Sequence, residues 1–155
     1  VDYAPQFAYA LAYDRPIRRP GRMHGVVSRA PAHPLAWIGF ENDKPGHVRR
    51  GTHLLIVQTG TEWTRPRVDR EPESVLPEVK AQVAKVLSTR VRQPVWVDTQ
   101  RWRYARPCSG LDGGDEAATD AGVYVAGDYV SGTGTVGAAI ESGFSVARRL
   151  RAAMG

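Results

Sequence analysis

Gly122-Val123-Tyr124-Val125-Ala126-Gly127-Asp128-Tyr129-Val130-Ser131-Gly132-Thr133-Gly134-Thr135-Val136-Gly137 is the stretch on which the reading of this chain turns. Val123 to Ala126 have the composition of a buried strand, glycines then break the chain, and Thr135 to Leu150 read as a helix rich in small residues. Gly132-x-Gly134-x-x-Gly137 fits a dinucleotide-binding loop. That fingerprint also needs a second strand and an acidic residue about 20 positions on to hold a ribose. Neither follows Gly137. The stretch is therefore read as a strand–turn–helix and not as a complete Rossmann start. Its physics still favours a ligand: a helix N-terminus offers free N–H groups and partial positive charge to an anion or carbonyl. Gly132 and Gly134 allow close backbone approach, and Asp128 can accept hydrogen bonds from sugar or polyol hydroxyls.

Upstream, the pattern changes. Phe7 to Tyr13 alternates large and small residues, placing Phe7, Tyr9 and Tyr13 on one strand face. Leu35 to Phe40 and His53 to Thr59 read as strands around a polar loop, Glu41 to Gly51, and Val26 and Val27 can seed a short strand. Leu76, Val79, Val83, Val86 and Leu87 recur at helical spacing, predicting a helix over 74–88 with Ser74 as N-cap and Pro77 in its first turn. Pro94 to Ala105 reads as a long strand with Trp96, Trp102 and Tyr104 on one face and Arg101 and Arg103 on the other. Residues 107–121 read as a surface loop. The order of elements predicts an α+β fold: a mainly antiparallel sheet with a helix, and a C-terminal strand–turn–helix of Rossmann-like type.

Composition excludes several classes. The 155 residues are 42% apolar and 24% charged, which is ordinary for a soluble globular domain. The aliphatic run Leu54 to Val57 is far short of the roughly 20 residues of a membrane span, so no membrane partner is expected. One cysteine, Cys108, cannot form an internal disulfide, and a reducing, cytoplasmic setting is expected. The net charge of +5 is carried mostly by arginine, with only Lys44, Lys80 and Lys85 as lysines. The arginines lie in small scattered groups without a zinc-finger, basic-zipper or RNP-type motif, so they read as a solvated surface and not as a nucleic-acid site. Some are suited to gripping the phosphates of a dinucleotide. The histidines His24, His33, His47 and His53 lack zinc-ligand spacing, and no metal is expected.

Ala126-Gly127-Asp128, the glycine-rich turn, Val136 to Ala139 and Ser142-Gly143 resemble the C-terminal FAD motif of flavoprotein amine-oxidase-like enzymes. Leu35 to Ile38 followed by Asn42-Asp43-Lys44-Pro45-Gly46, the Glu62-Trp63-Thr64 segment, and Gln100 to Pro107 resemble the renalase-like branch. His47 stands where that family commonly has Arg, and Gly137 where it usually has Glu. The resemblance implies an FAD-dependent oxidoreductase that moves hydride from a dihydronicotinamide-type dinucleotide, or an amine, to flavin, with oxygen as acceptor. It implies that Gly127, Asp128, Gly134, Thr135 and Val136 hold cofactor and that Trp37, Trp102 and Tyr104 shape the substrate cavity. It further implies a substrate-binding region over 1–106 and a C-terminal segment of the FAD-binding domain over 107–155. The N-terminal GxGxxG half of that domain would then be absent from this chain and supplied by a partner segment or through a homo-oligomer. The contrasting expectation is a non-catalytic flavoprotein remnant serving as a binding or interaction module.

Overall fold

Phe7, Tyr9, Leu11 and Tyr13 share one face of strand β1 (Tyr3–Tyr13), and each is at most 2% exposed. A period of two puts these large side chains on one side and Ala8, Ala10 and Ala12 on the other. The computed structural model describes residues 1–30, 32–111 and 122–154. After β1 come β2 (Gly25–Val27), β3 (Leu35–Phe40) and β4 (His53–Thr59), then the short helix α1 (Thr61–Thr64), helix α2 (Pro72–Val86), β5 (Trp96–Pro107) and helix α3 (Val136–Met154). The strands form one sheet in the order β2-β3-β4-β1-β5. Its ladders are antiparallel, with Tyr9 opposite Val57 and Ile38 opposite the same Val57.

Two compact units are present: Pro5–Arg103, and Val1–Ala4 together with Tyr104–Gly155. In the first, α2 covers the large-residue face of the sheet. Val75, Val79, Val83 and Leu87, four residues apart, pack into Phe7, Tyr9, Leu11, Tyr13, Ile38 and Val57. Fully burying four such side chains, at roughly 1.5–3 kcal/mol each, outweighs the roughly 3 kcal/mol cost of a proline inside a helix. This is why Pro77 is tolerated within α2. The helix starts two residues before the predicted 74. Pro72 occupies its first turn, and Ser74 donates its hydroxyl to Glu71 O at 2.7 Å instead of capping. Tyr9 donates its buried hydroxyl to Pro72 O at 2.9 Å, which ties the helix start to the sheet.

Side chains of β5 also reach the entry of α2. Arg101 Nη2 lies 3.0 Å from Glu71 Oε1, and Arg103 Nη1 lies 2.8 Å from Asp69 Oδ1. These two arginines, open to a phosphate role from sequence, are ion-pair partners of the α2 entry.

In the second unit, residues 123–126 do not form the predicted strand, and Val123 is 53% exposed. The predicted loop over 107–121 lies largely outside the described residues.

Candidate functional site

The turn before α3 is built by backbone contact. Leu111 N donates to Val130 O at 3.1 Å, and Val130 N donates to Gly127 O at 3.3 Å. Gly132 has φ +72° and lies so close to residues 109–110 that a Cβ there would fall 2.4 Å from Gly110 N. Gly134, at φ +63°, faces Arg106, where a Cβ would fall 2.3 Å from Arg106 Cγ. Only glycine fits either position. Ser142, buried on α3, accepts a hydrogen bond from Gly127 N at 3.2 Å and so fixes the start of the turn to the helix.

Thr135 caps α3: its Oγ1 accepts from Ala138 N at 3.2 Å. Thr135 Oγ1 lies 3.5 Å from Thr133 Oγ1, which lies 3.0 Å from Ser131 Oγ. Hydroxyls therefore line the approach to the helix N-terminus. The Val136 and Gly137 N–H groups have no acceptor among the described residues, and neither the Asp128 carboxylate nor the Arg106 guanidinium has a hydrogen bond or ion pair among them. The result is a glycine-built cradle with free donors at a positive helix end and a free acceptor at Asp128. A ligand presenting both hydroxyls and carbonyls suits that donor set, and the ribityl and pyrimidine parts of FAD carry those groups.

Along α3, Val136, Ile140 and Phe144 are 78%, 54% and 62% exposed. Their spacing of four puts them on one face, so the helix presents an uncovered apolar stripe beside the cradle.

The unit Pro5–Arg103 holds the other predicted residues. Trp37 lies on the sheet face opposite α2, since it pairs with Gln58 while its neighbour Ile38 pairs with core Val57. Gly25 and Gly39 sit opposite each other on β2 and β3, and the Trp37 ring fills the notch both leave. Trp37 also lines a cavity of about 180 Å³ with Val26, His33 and Val86. Just beyond β3, the buried Glu41 carboxylate takes Lys44 Nζ at 2.7 Å and lies 3.3 Å from His47 Nδ1. Burial disfavours its charge, but the Lys44 and His47 hydrogen bonds outweigh burial and hold its pKa below the ordinary carboxylate value. His47 is thus a partner of Glu41, and Lys44 is a structural cation. Trp102 is 51% exposed on β5.

Gly127, Asp128, Gly134, Thr135 and Val136 are brought together in one unit, where Tyr104, 77% exposed, meets Tyr3 edge-on at 5.9 Å. Trp37 and Trp102 belong to the other unit, and Trp102 does not line the Trp37 cavity. Sequence reasoning missed the Ser142 anchor and the closeness of Arg106 to Gly134. A serine among the small residues of α3 was the one local signal. Among the described residues no His, Cys, Asp or Glu cluster has the makings of a metal site, and no helix is long and apolar enough to cross a membrane.

This combination of antiparallel sheet, glycine-built turn and small-residue helix fits a flavoprotein of amine-oxidase type. Residues 1–151 match the flavin containing amine oxidoreductase family. The chain belongs to that family. Among solved structures, a provisionally named protoporphyrinogen oxidase from Exiguobacterium sp. 255-15 is similar in fold. The TM-score is 0.64 at 18% identity, over 96% of this chain and 35% of that one. The chain therefore spans about a third of the length of the protein it matches.

Proposed function

We propose that this chain supplies the substrate-region sheet and the flavin-side helix turn of an FAD-dependent oxidoreductase. The carrying observation is that one unit holds both the free Asp128 carboxylate and the open N-terminus of α3, joined by a turn whose Gly132 and Gly134 only glycine fits. In this reading Asp128 accepts hydrogen bonds from ribityl hydroxyls, and Val136 N–H donates to a flavin carbonyl. Thr135 holds the helix end in place, and Gly134 keeps the approach clear. A bound flavin supplies hydride acceptance and the return of electrons to oxygen. The protein's share is orientation, exclusion of water and electrostatics. The substrate class this reading favours is a dihydronicotinamide-type dinucleotide, with an amine as the less favoured class. The remaining part of the flavin domain would cover the Val136–Ile140–Phe144 stripe.

That stripe also favours a second reading, a module that binds a partner through α3 without catalysis. Purification of the chain, alone and co-expressed with a flavin-domain N-terminal half, followed by addition of FAD, separates the two. Retained blue-visible flavin absorbance that is lost in Asp128→Ala supports the first. A colourless protein in both settings overturns it.

A further inference from the structure

We propose that an arginine-lined cavity at the end of β1 binds the diphosphate group of a soluble ligand. The cavity, of about 220 Å³, has Tyr13, Arg15, Arg18, Arg90 and Arg92 in its wall. It lies wholly within the Pro5–Arg103 unit and is independent of the flavin reading.

Two independent observations meet there. First, none of the four guanidinium groups has an ion pair among the described residues; the nearby carboxylate, Asp14, is exposed and pairs with none of them. Four like charges around one concavity repel each other and raise the local concentration of anions. Arginine forks suit phosphate oxygens through paired N–H bonds.

Second, Tyr13 is 2% exposed and its buried hydroxyl has no hydrogen-bond partner. Leaving a buried hydroxyl unmade is costly, and such a group calls for an explanation. Burial pushes its pKa up to about 12, so it keeps its proton and remains an unused donor in a residue that lines the cavity.

Size narrows the ligand. Sites for drug-sized ligands run to about 300–1,000 Å³, so this cavity suits a phosphate pair and not a whole nucleotide. Arg90 and Arg92 also line an adjoining open cavity of about 620 Å³ with Lys80 and Gln93, which leaves room for the rest of a larger molecule. The sequence places Arg15 and Arg18 far from Arg90 and Arg92; the fold brings them to one cavity.

Calorimetric titration of the whole 155-residue chain with pyrophosphate, at about 0.15 M ionic strength, tests this directly. Saturable one-site binding is expected, with ADP binding at least as well. The exposed Arg15→Gln/Arg90→Gln pair should weaken it at least tenfold. Tyr13→Phe should weaken it by about tenfold, the size of one hydrogen bond to a charged group, while the unliganded melting temperature holds or rises. The proposal is overturned if pyrophosphate and ADP show no saturable binding, or if either variant binds as the wild type does. Binding to phosphatidylglycerol vesicles or to duplex DNA without pyrophosphate binding also overturns it, since the source would then be a lipid surface or a nucleic acid.

Discussion

The hydroxyl oxygens of Thr59 and Thr64 lie 2.6 Å apart, and both residues are fully buried. Thr64 donates to Gly60 O at 2.7 Å, so Thr59 donates to Thr64 and accepts from Phe7 N at 2.9 Å. This chain of donors ties the end of β4 to β1 and to α1. Thr59→Val keeps the shape but leaves Phe7 N–H and the Thr64 oxygen unsatisfied. It should cost about 1–3 kcal/mol in urea unfolding. A double-mutant cycle with Thr64→Val should show that the two losses do not add; strict additivity would mean the hydroxyls act separately.

Two glycines near the cradle should respond in opposite directions. Gly134→Ala forces a side chain into φ +63° and against Arg106 Cγ, and should destabilise by about 1–3 kcal/mol. Gly143 lies within α3 with nothing inside 4 Å of an added Cβ. Gly143→Ala should therefore stabilise by about 1 kcal/mol. Thermal melts of the two variants, read against wild type, check both signs.

Acid should find one identifiable weak point. Asp43 is held at a pKa of about 2, against an ordinary 3.8, by the Arg19 hydrogen bond and by His24. A depressed pKa means the folded state binds this proton less readily than the unfolded chain. The stabilisation is therefore complete above the ordinary value and is lost as pH falls toward 2. Urea midpoints measured through that window should fall less steeply for Asp43→Asn than for wild type. Parallel curves would remove Asp43 as the source.

At the C-terminal end of α2, Ser88 sits at φ +49°, the left-handed position that closes the helix, and Thr89 N bonds Ala84 O at 3.1 Å. Glycine takes that conformation without the Cβ penalty. Ser88→Gly should raise stability by about 0.5–1 kcal/mol once the freer unfolded chain is allowed for. A lower urea midpoint would contradict this account of the cap.

Much of the sheet was legible because period-two patterns are local. β3 and β4 end where their flanking polar residues place them, and the buried face of β1 follows from Phe7, Tyr9 and Tyr13. The α2 stripe was read one position off in its first turn: Val75 is buried, while Leu76 is partly so. Ser74 looked like a cap because serine favours that position, but Pro72 had already begun the helix. Val123 to Ala126 had strand composition, yet composition alone does not make a strand, and these residues are not in one. In the candidate site, Asp128 and the glycines were visible as a motif. The Gly127–Ser142 bond and the Arg106–Gly134 approach depend on how distant segments meet, so no local pattern carries them.

The backbone passes between the two units twice. Asp2 O accepts from Cys108 N at 2.8 Å and Asp2 N donates to Ser109 Oγ at 2.8 Å, so the first four residues are stitched into the unit that holds the cradle. A unit made of two separated stretches is not portable by a single genetic crossover. Exchanging the cradle with that of a relative requires two junctions, one after Ala4 and one near Tyr104, chosen together. Chimaeras cut at only the second junction would separate Asp2 from the Cys108 and Ser109 it evolved with, which favours inheritance of sheet and cradle as one block.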